Sequence, residues 1–383
     1  MKVLFQSRLD LFEKKGGDTI QLLETQKALQ KIGISVDINN SISANAFKYD
    51  LVHIFNLDWV SEPFLQIQNA KRQKKIVVLS PIHHSLKEFK RYEKECRYGL
   101  AFLGNALIPY QPLRDISRNL VKGFIYPKKL KPALIQLFMG IRKQQKLAVE
   151  MADYILVQTN IEAKELKNDY KTKDFKWSKV VNGINPDIFV KGSGENAKEI
   201  LGFNKYILCV NRIEPRKNQI NLILAFLKAI ETEPNFKSYH LVFGGGFNNH
   251  HPTYIKTFKK LIKKYSFVRH IGFVEQKNLC HLYAGADVFA YPTWFETTGL
   301  VSLEAIISGS RSLVVSGERV KEYIGGNAIY CDPGNINSIS AALIKALKET
   351  TVKKNFPEFV KNTYTWENCA KQTLNVYKKI LDL

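Results

Sequence analysis

No Cys-x-x-Cys pair, no Cys/His cluster and no apolar run of the ~18–20 residues that a bilayer span needs occurs in this sequence. The five cysteines, Cys96, Cys209, Cys280, Cys331 and Cys369, are scattered and odd in number. That argues against a disulfide framework and against a zinc site, and it predicts free thiols in a reducing, cytoplasmic compartment. The opening residues MKVLFQSRLD hold one short apolar patch followed at once by charge, and they read as a first strand rather than a signal peptide. Acidic residues are scarce: 35 Asp and Glu stand against 57 Lys and Arg, a formal net charge of +22. A charge of that size suits an anionic partner such as nucleic acid, an acidic membrane or a nucleotide-bearing substrate. A lysine-rich solvated surface would give the same number. The cations are spread over both halves and no nucleic-acid-binding motif is present, so no nucleic-acid partner is expected. Short-period repeats and low-complexity tracts are also missing.

The 383 residues are too many for one ordinary core, and 45% hydrophobic with 24% charged residues describes a globular protein. Strand-like apolar runs alternate with helical periodicity, the pattern of parallel sheets covered on both faces. The first half carries runs at Lys2 to Phe5, Ile34 to Ile38, Leu51 to Phe55, Ile76 to Leu79 and Tyr154 to Val157. The second carries them at Tyr206 to Val210, His240 to Phe243, Val268 to Ile271, Val288 to Tyr291, Ser312 to Val315 and Ala328 to Tyr330. The rhythm restarts once, so two doubly wound α/β units are expected. The joint falls near VVNGINPDIF, where Asn-Gly and Asn-Pro signal turns. The expected domains are 1–185, 186–362 and a closing helix in 363–383. In that helix Trp366, Ala370, Leu374 and Tyr377 recur at helical spacing.

Three segments carry chemistry. In the first, Gly16 and Gly17 follow the first strand and precede a helix, where backbone N–H groups favour anions. Asp18 and Gln21 have the spacing of a capping box, and Gly33 suits the helix stop. In the second, Arg212 follows a strand and Lys217 lies five residues on, near a helix start. A guanidinium and an ammonium converging there suit a diphosphate. In the third, YPTWFETTGLVSLEAIISGS, a strand stops at Pro292, Glu296 sits in a polar loop, and Gly299 opens a helix that carries Glu304. The N–H groups of Thr298, Gly299 and Leu300 lie between the two carboxylates and suit phosphate oxygens. A carboxylate accepts from two vicinal hydroxyls at once, as in a ribose or a sugar.

In this order and spacing the three segments resemble the retaining GT-B glycosyltransferases with a Glu-x7-Glu pair, glycosyl transferases group 1. HIGFVEQKNLCHLYAGADVFAYP, GERVKEYIGGNAIYCDPGN and YTWENCAKQTLNVY resemble further stretches of that family. The resemblance implies a GT-B fold: two Rossmann-like, doubly wound domains facing across a cleft. It implies a nucleotide-sugar donor held mainly by the second domain and a glycan, lipid-linked or other hydroxyl acceptor on the first. Glu304 would hold the ribose, and Val274 would lie near the base. Arg212 and Lys217 would neutralise the leaving diphosphate, and Glu296 would orient the donor sugar. The early Gly16-Gly17 loop would lie on the donor side. His83 or His84, in VVLSPIHHS, would stand near the sugar; the residues themselves do not rank the two. No metal and no cofactor are implied, in keeping with the lack of an Asp-x-Asp motif. Retention would proceed by front-face displacement or a short-lived ion pair. Two departures, Thr298 before the motif glycine and Ser310-Arg311 after the next, bear on the identity of the sugar.

Residues 87–146 stand apart, with fourteen Lys and Arg against four Asp and Glu, interleaved with aromatic and aliphatic side chains. They are expected to meet an acidic membrane surface or a lipid-linked diphosphate, making the protein peripheral at the inner face of the membrane; a solvated helical insertion is the alternative. For the whole chain, the role expected is bacterial surface polysaccharide or glycoconjugate synthesis. The rival readings are an inactive GT-B partner subunit, a basic nucleic-acid-binding protein and a nucleotide-sugar epimerase, which would not carry the Glu-x7-Glu loop.

Overall fold

A computed structural model of the chain describes residues 1–14, 16–58, 61–96, 123 and 127–383. Most of the basic segment, at 97–122 and 124–126, lies outside the described residues. The chain divides into two compact units. The first comprises Met1–Ser85, the described residues of 104–183, and Trp366–Leu383; the second comprises the described residues of 86–103 and Ile184–Thr365.

The first unit is built on a six-stranded sheet of order β2-β1-β3-β4-β5-β6. Its strands are β1 (Lys2–Gln6), β2 (Ser35–Ile38), β3 (Leu51–Phe55), β4 (Ile76–Ser80), β5 (Tyr154–Val157) and β6 (Trp177–Lys179). The second unit repeats the plan in the order β12-β11-β10-β7-β8-β9. Its strands are β7 (Tyr206–Val210), β8 (His240–Gly244), β9 (Val268–Gly272), β10 (Val288–Tyr291), β11 (Leu313–Val315) and β12 (Ile329–Tyr330). Every pairing is parallel. Parallel strands are buried on both faces, which is why β3 reads as the unbroken run LVHIF and is buried throughout. The expected runs all became strands, with ends shifted by a residue. β6 is an addition: Trp-Ser-Lys is short, polar and at the sheet edge, so it lacks the apolar signal.

Each sheet starts with its first strand inside and winds outward both ways. The order reverses between β1 and β3 in the first unit and between β7 and β10 in the second. Ligands of open α/β sheets bind beyond the carboxyl ends of the strands at such a reversal. The loops after β1, β3, β7 and β10 are therefore the places to look for a site.

The last helix, Trp366–Leu381, belongs to the first unit and packs on the helix Gly17–Lys31. Cys369, Ala370, Val376 and Tyr377 join Leu22 and Leu29 in one core. A polar tie crosses that core. His53 of β3 is buried, with Nδ1 2.6 Å from the Tyr377 hydroxyl and Nε2 2.8 Å from Ser80 Oγ. Burial pushes the His53 pKa down to about 3, so the ring is neutral and needs both hydrogen bonds. Tyr377→Phe leaves one ring nitrogen unsatisfied. It should cost about 1–3 kcal/mol, read as a lower urea midpoint at unchanged slope; an unchanged midpoint would show that this tie contributes nothing.

Candidate functional site

The site residues of the second unit gather at the β7/β10 reversal. After β7 the chain reaches Ile213, which is fully buried and bridged to Phe247. That turns its neighbour Arg212 outward, where its guanidinium is exposed and its carbonyl accepts from Gln219 Nε2 at 2.9 Å. A 3-10 turn, Pro215–Lys217, follows and ends on Asn218 at φ 66°. Asparagine tolerates that left-handed backbone, and the helix Gln219–Thr232 starts from it. The Asn218 amide donates to the carbonyls of Pro292 at 2.9 Å and Pro333 at 2.8 Å, tying three loops together.

The turn delivers Lys217 to Glu296. Nζ lies 2.5 Å from the carboxylate and 2.9 Å from the Tyr291 hydroxyl, which itself donates to Glu296. Arg216 Nη1 stands 3.7 Å from the same carboxylate, and its Nε 3.3 Å from Glu214. The guanidinium brought into this cluster is thus Arg216. All of these side chains are at least largely buried. Burial alone would raise the Glu296 pKa, yet the charges of Lys217 and Arg216 hold it far below the usual carboxylate range. Burial and the Arg216 charge push the Lys217 pKa down.

The Glu296 loop is fixed by its backbone. The Trp294 N–H and the Thr293 hydroxyl each donate to the Arg216 carbonyl at 3.0 Å, and the Ser316 hydroxyl donates to the Thr293 carbonyl. Thr298 is buried, and Gly299 caps the helix Leu300–Ser308 at φ 65°. A Cβ on Gly299 would stand 3.1 Å from Val320 Cγ2, so both backbone and space call for glycine. The N–H groups around Gly299 and Leu300 sit at that helix start, and Ser302 Oγ in its first turn is buried without a partner among the described residues. Val274 lies half-buried in the loop after β9, its Cγ2 facing Gly244 at the end of β8.

Glu304 sits in a different setting. It is half-buried on the helix and accepts from the Tyr283 hydroxyl at 3.1 Å. Burial pushes its pKa up to about 7, and the Tyr283 hydrogen bond only partly opposes this.

The first unit holds its own cluster, after β1, β3 and β4. The helix Gly17–Lys31 is capped by Gly16, whose N–H donates to Thr19 Oγ1 at 3.1 Å. The expected box of Asp18 and Gln21 is therefore displaced by two residues, because Asp18 is drawn away by other partners. Arg8 Nε donates to its carboxylate at 2.6 Å, and Asn56 Nδ2 at 2.9 Å. Gln21 is turned inward and accepts from Gln158 Nε2 at 2.5 Å.

The two histidines differ. His83 is fully buried between Asp58 and Asp169, with Nδ1 2.7 Å from the first and Nε2 2.9 Å from the second. Its backbone N–H donates to Glu162 at 2.8 Å. His84 shares Asp58, with Nδ1 2.9 Å from the other carboxylate oxygen, and its ring is 12% exposed. Burial would raise the Asp58 pKa, but the two imidazoles hold it far below the usual range. Sequence alone did not mark Asp58, Asp169, Arg216 or Tyr283 as site residues. Only Arg216, next to Lys217 in Pro-Arg-Lys, carried a local hint.

Residues 195–364 match the family of glycosyl transferases group 1. That stretch carries the Glu296 and Glu304 clusters. The O-antigen chain mannosyltransferase B of Escherichia coli is 28% identical over 184 residues, 46% of this chain and 47% of that protein. A D-inositol 3-phosphate glycosyltransferase of Corynebacterium urealyticum is 26% identical over 248 residues, 61% of this chain and 58% of that protein. The chain thus aligns with about half of the length of these curated relatives. Among solved structures, sucrose-phosphate synthase of Thermosynechococcus elongatus superposes with a TM-score of 0.69 at 15% identity, covering 100% of both chains. HepE of Anabaena in complex with UDP-glucose gives 0.69 at 15% identity, covering 99% of this chain and 100% of that one. The fold is GT-B, two Rossmann-like units.

Glu304 gives a pH test. Its carboxyl holds a proton more tightly in the folded state, about 7, than at the ordinary 4.5. Its contribution to stability is complete below pH 4.5 and is lost as pH rises through 7. The loss is on the order of 1–3 kcal/mol. Glu304→Gln, which never ionises, should melt a few degrees above the parent at pH 8 and converge with it near pH 4.5. A pH-independent difference between the two melting curves would refute the burial argument.

Proposed function

We propose that this protein is a retaining glycosyltransferase that moves a sugar from a nucleotide-sugar donor to a hydroxyl acceptor, on a glycan or a lipid-linked carrier. The observation that carries this reading is the placement of Lys217 and Arg216 around Glu296 at the β7/β10 reversal, beside the open helix start at Gly299. Cations and helix N–H groups at one point suit a diphosphate. The relatives' names and the UDP-glucose complex of HepE support the same donor class. The role in surface polysaccharide synthesis rests on the O-antigen mannosyltransferase likeness.

In this reading Glu304 accepts from the two ribose hydroxyls, and its ionised form is recovered when those donors replace water. Val274 flanks the base. Lys217, with Arg216 and Arg212, meets the diphosphate; the N–H groups of Thr298, Gly299 and Leu300 add donors. Glu296 orients the sugar hydroxyls. The bond from the anomeric carbon to the diphosphate oxygen breaks as negative charge builds on that oxygen, where these cations stabilise it. The acceptor oxygen bonds to the same face, and its proton passes to the leaving diphosphate. No metal is needed for the charge that these three cations supply. On the first unit, the Gly16-Gly17 loop belongs to the donor side. His84 is the histidine with an accessible ring, whereas His83 is committed to Asp58 and Asp169.

A thermal-shift and hydrolysis screen over uridine- and guanosine-diphosphate sugars tests the reading. One donor should raise the melting temperature by several degrees at saturation, as mass action requires. Lys217→Ala and Glu304→Ala should abolish that response; a full response in either variant would remove these residues from the site.

We also propose contact with an acidic bilayer through residues 87–146. Within it the helix Leu130–Met139 exposes Leu134, Leu137 and Phe138, the last to 87%, beside Lys128 and Lys131. No helix among the described residues is long and apolar enough to cross a membrane. Flotation should recover the protein with acidic vesicles several-fold better than with neutral ones, and less so for Phe138→Ser. Equal recovery with both vesicle types would sink the electrostatic part.

A further inference from the structure

The helix Leu86–Glu95 follows β4 of the first unit in sequence, yet it packs with the second. Its sequence LKEFKRYEKE places Leu86, Phe89 and Tyr92 on one stripe and charges on the rest. That stripe lies on the Glu296 loop. Phe89 and Tyr92 meet the Phe295 ring edge-on, with centroids 5.7 and 5.5 Å away, and Tyr92 meets Trp294 at 6.0 Å. The Arg216 guanidinium stands 5.3 Å from the same Phe295 ring centroid. Phe295 thus meets both the helix and one of the two cations on Glu296, its own neighbour.

A second contact is independent of the aromatic one. Arg91 Nη2 reaches both oxygens of Asp332, at 2.7 and 2.9 Å, while its Nε binds Glu95 at 2.9 Å. Two residues on, a Cβ at Gly334 would stand 2.9 Å from Arg91 Nη2 and 3.2 Å from the Trp294 ring, with Glu95 closer still. The ends of the Arg91 and Glu95 side chains and the Trp294 ring therefore all rest against the backbone at Gly334. Asn218 links that backbone, through Pro333, to Pro292 at the start of the Glu296 loop. Helix, loop and turn form one packed unit over the ends of β7, β10 and β12.

We infer that the helix Leu86–Glu95 sets the position of the 292–296 loop, and that Tyr92 is a positioning residue for Glu296. This rests on the donor reading for what Glu296 does, and on geometry alone for the rest. Burial raises the Tyr92 hydroxyl pKa, in keeping with a side chain seated between helix and loop. The Arg91–Asp332 pair is exposed at both ends, so its hold weakens with salt.

Hydrogen exchange on the ligand-free full chain decides the inference. Tyr92→Ala should speed exchange across 293–297 at least tenfold, including the Trp294 N–H bonded to the Arg216 carbonyl, while β7 and β10 amides keep their protection. Tyr92→Phe, which keeps the ring, should restore the parent rates. Arg91→Ala, a surface change that leaves the fold intact, should speed the same amides two- to fivefold, and 0.5 M NaCl should mimic it in the parent but add nothing in the variant. Unchanged rates in Tyr92→Ala, or a loss of protection spread evenly over the second unit, would overturn the inference. UDP-glucose hydrolysis supplies the functional readout: kcat should fall at least tenfold in Tyr92→Ala with KM within threefold, and recover in Tyr92→Phe. Parent protein inert towards every nucleotide sugar would overturn the donor reading and leave the exchange result standing.

Discussion

A carboxylate loses its water when buried, and only opposite charge and donated hydrogen bonds make that tolerable. Glu296 is the place where this constraint governs the second unit. Lys217 comes from a 3-10 turn after β7, Tyr291 from the end of β10, and Arg216 from the same turn as Lys217. None of the three can be removed without leaving a buried charge short of partners. The left-handed backbone at Asn218, the stop at Pro292 and the carbonyl of Arg216 that receives Trp294 and Thr293 all serve to hold these groups in register. The ion pair is thus a constraint on three loops at once, and it coincides with the sheet's topological reversal.

The two glutamates of one short motif lie in opposite electrostatic settings. Glu296 is held ionised by cations, while Glu304 is pushed towards neutrality by burial with one tyrosine hydroxyl beside it. Environments that push two carboxyl groups apart assign them different work. Glu296 has its charge already matched and gains little from further cations. Glu304 has no cation beside it among the described residues and accepts from the Tyr283 hydroxyl, so further hydroxyl donors that arrive with a ligand stabilise its charged form. A diol is such a donor, and the proposed ribose contact is therefore placed on Glu304 rather than Glu296.

Much of this was legible in the sequence where the signal was local. The alternation of apolar runs gave both sheets, and the run from Tyr291 to Gly309 gave the strand end, the loop carboxylate and the helix start. Lys217 was visible for the same reason: it lies one residue before the residue that opens a helix. Arg216 was not, because the side on which 212 and 216 emerge depends on Ile213 being pinned inward by Phe247, a contact over thirty residues away in sequence. The helix cap shifted from Asp18 to Gly16 because Arg8 and Asn56 draw Asp18 off, and Asn56 comes from the next strand but one. β6 was invisible since its three residues are polar edge residues. That the helix after β4 packs on the other unit has no local signature at all.

The histidine doublet shows the same division at the level of chemistry. Two adjacent histidines after a strand look equivalent in sequence. Both rings share Asp58, one carboxylate spending its two oxygens on them, and what separates them is burial and the Asp169 contact at His83 Nε2. The buried ring is thereby fixed from both sides and serves as the post on which Asp58 is held. The outer ring receives orientation from Asp58 at Nδ1. An aspartate shared in this way makes His84's orientation depend on His83, so the inner histidine contributes to any chemistry at the outer one by holding the carboxylate in place.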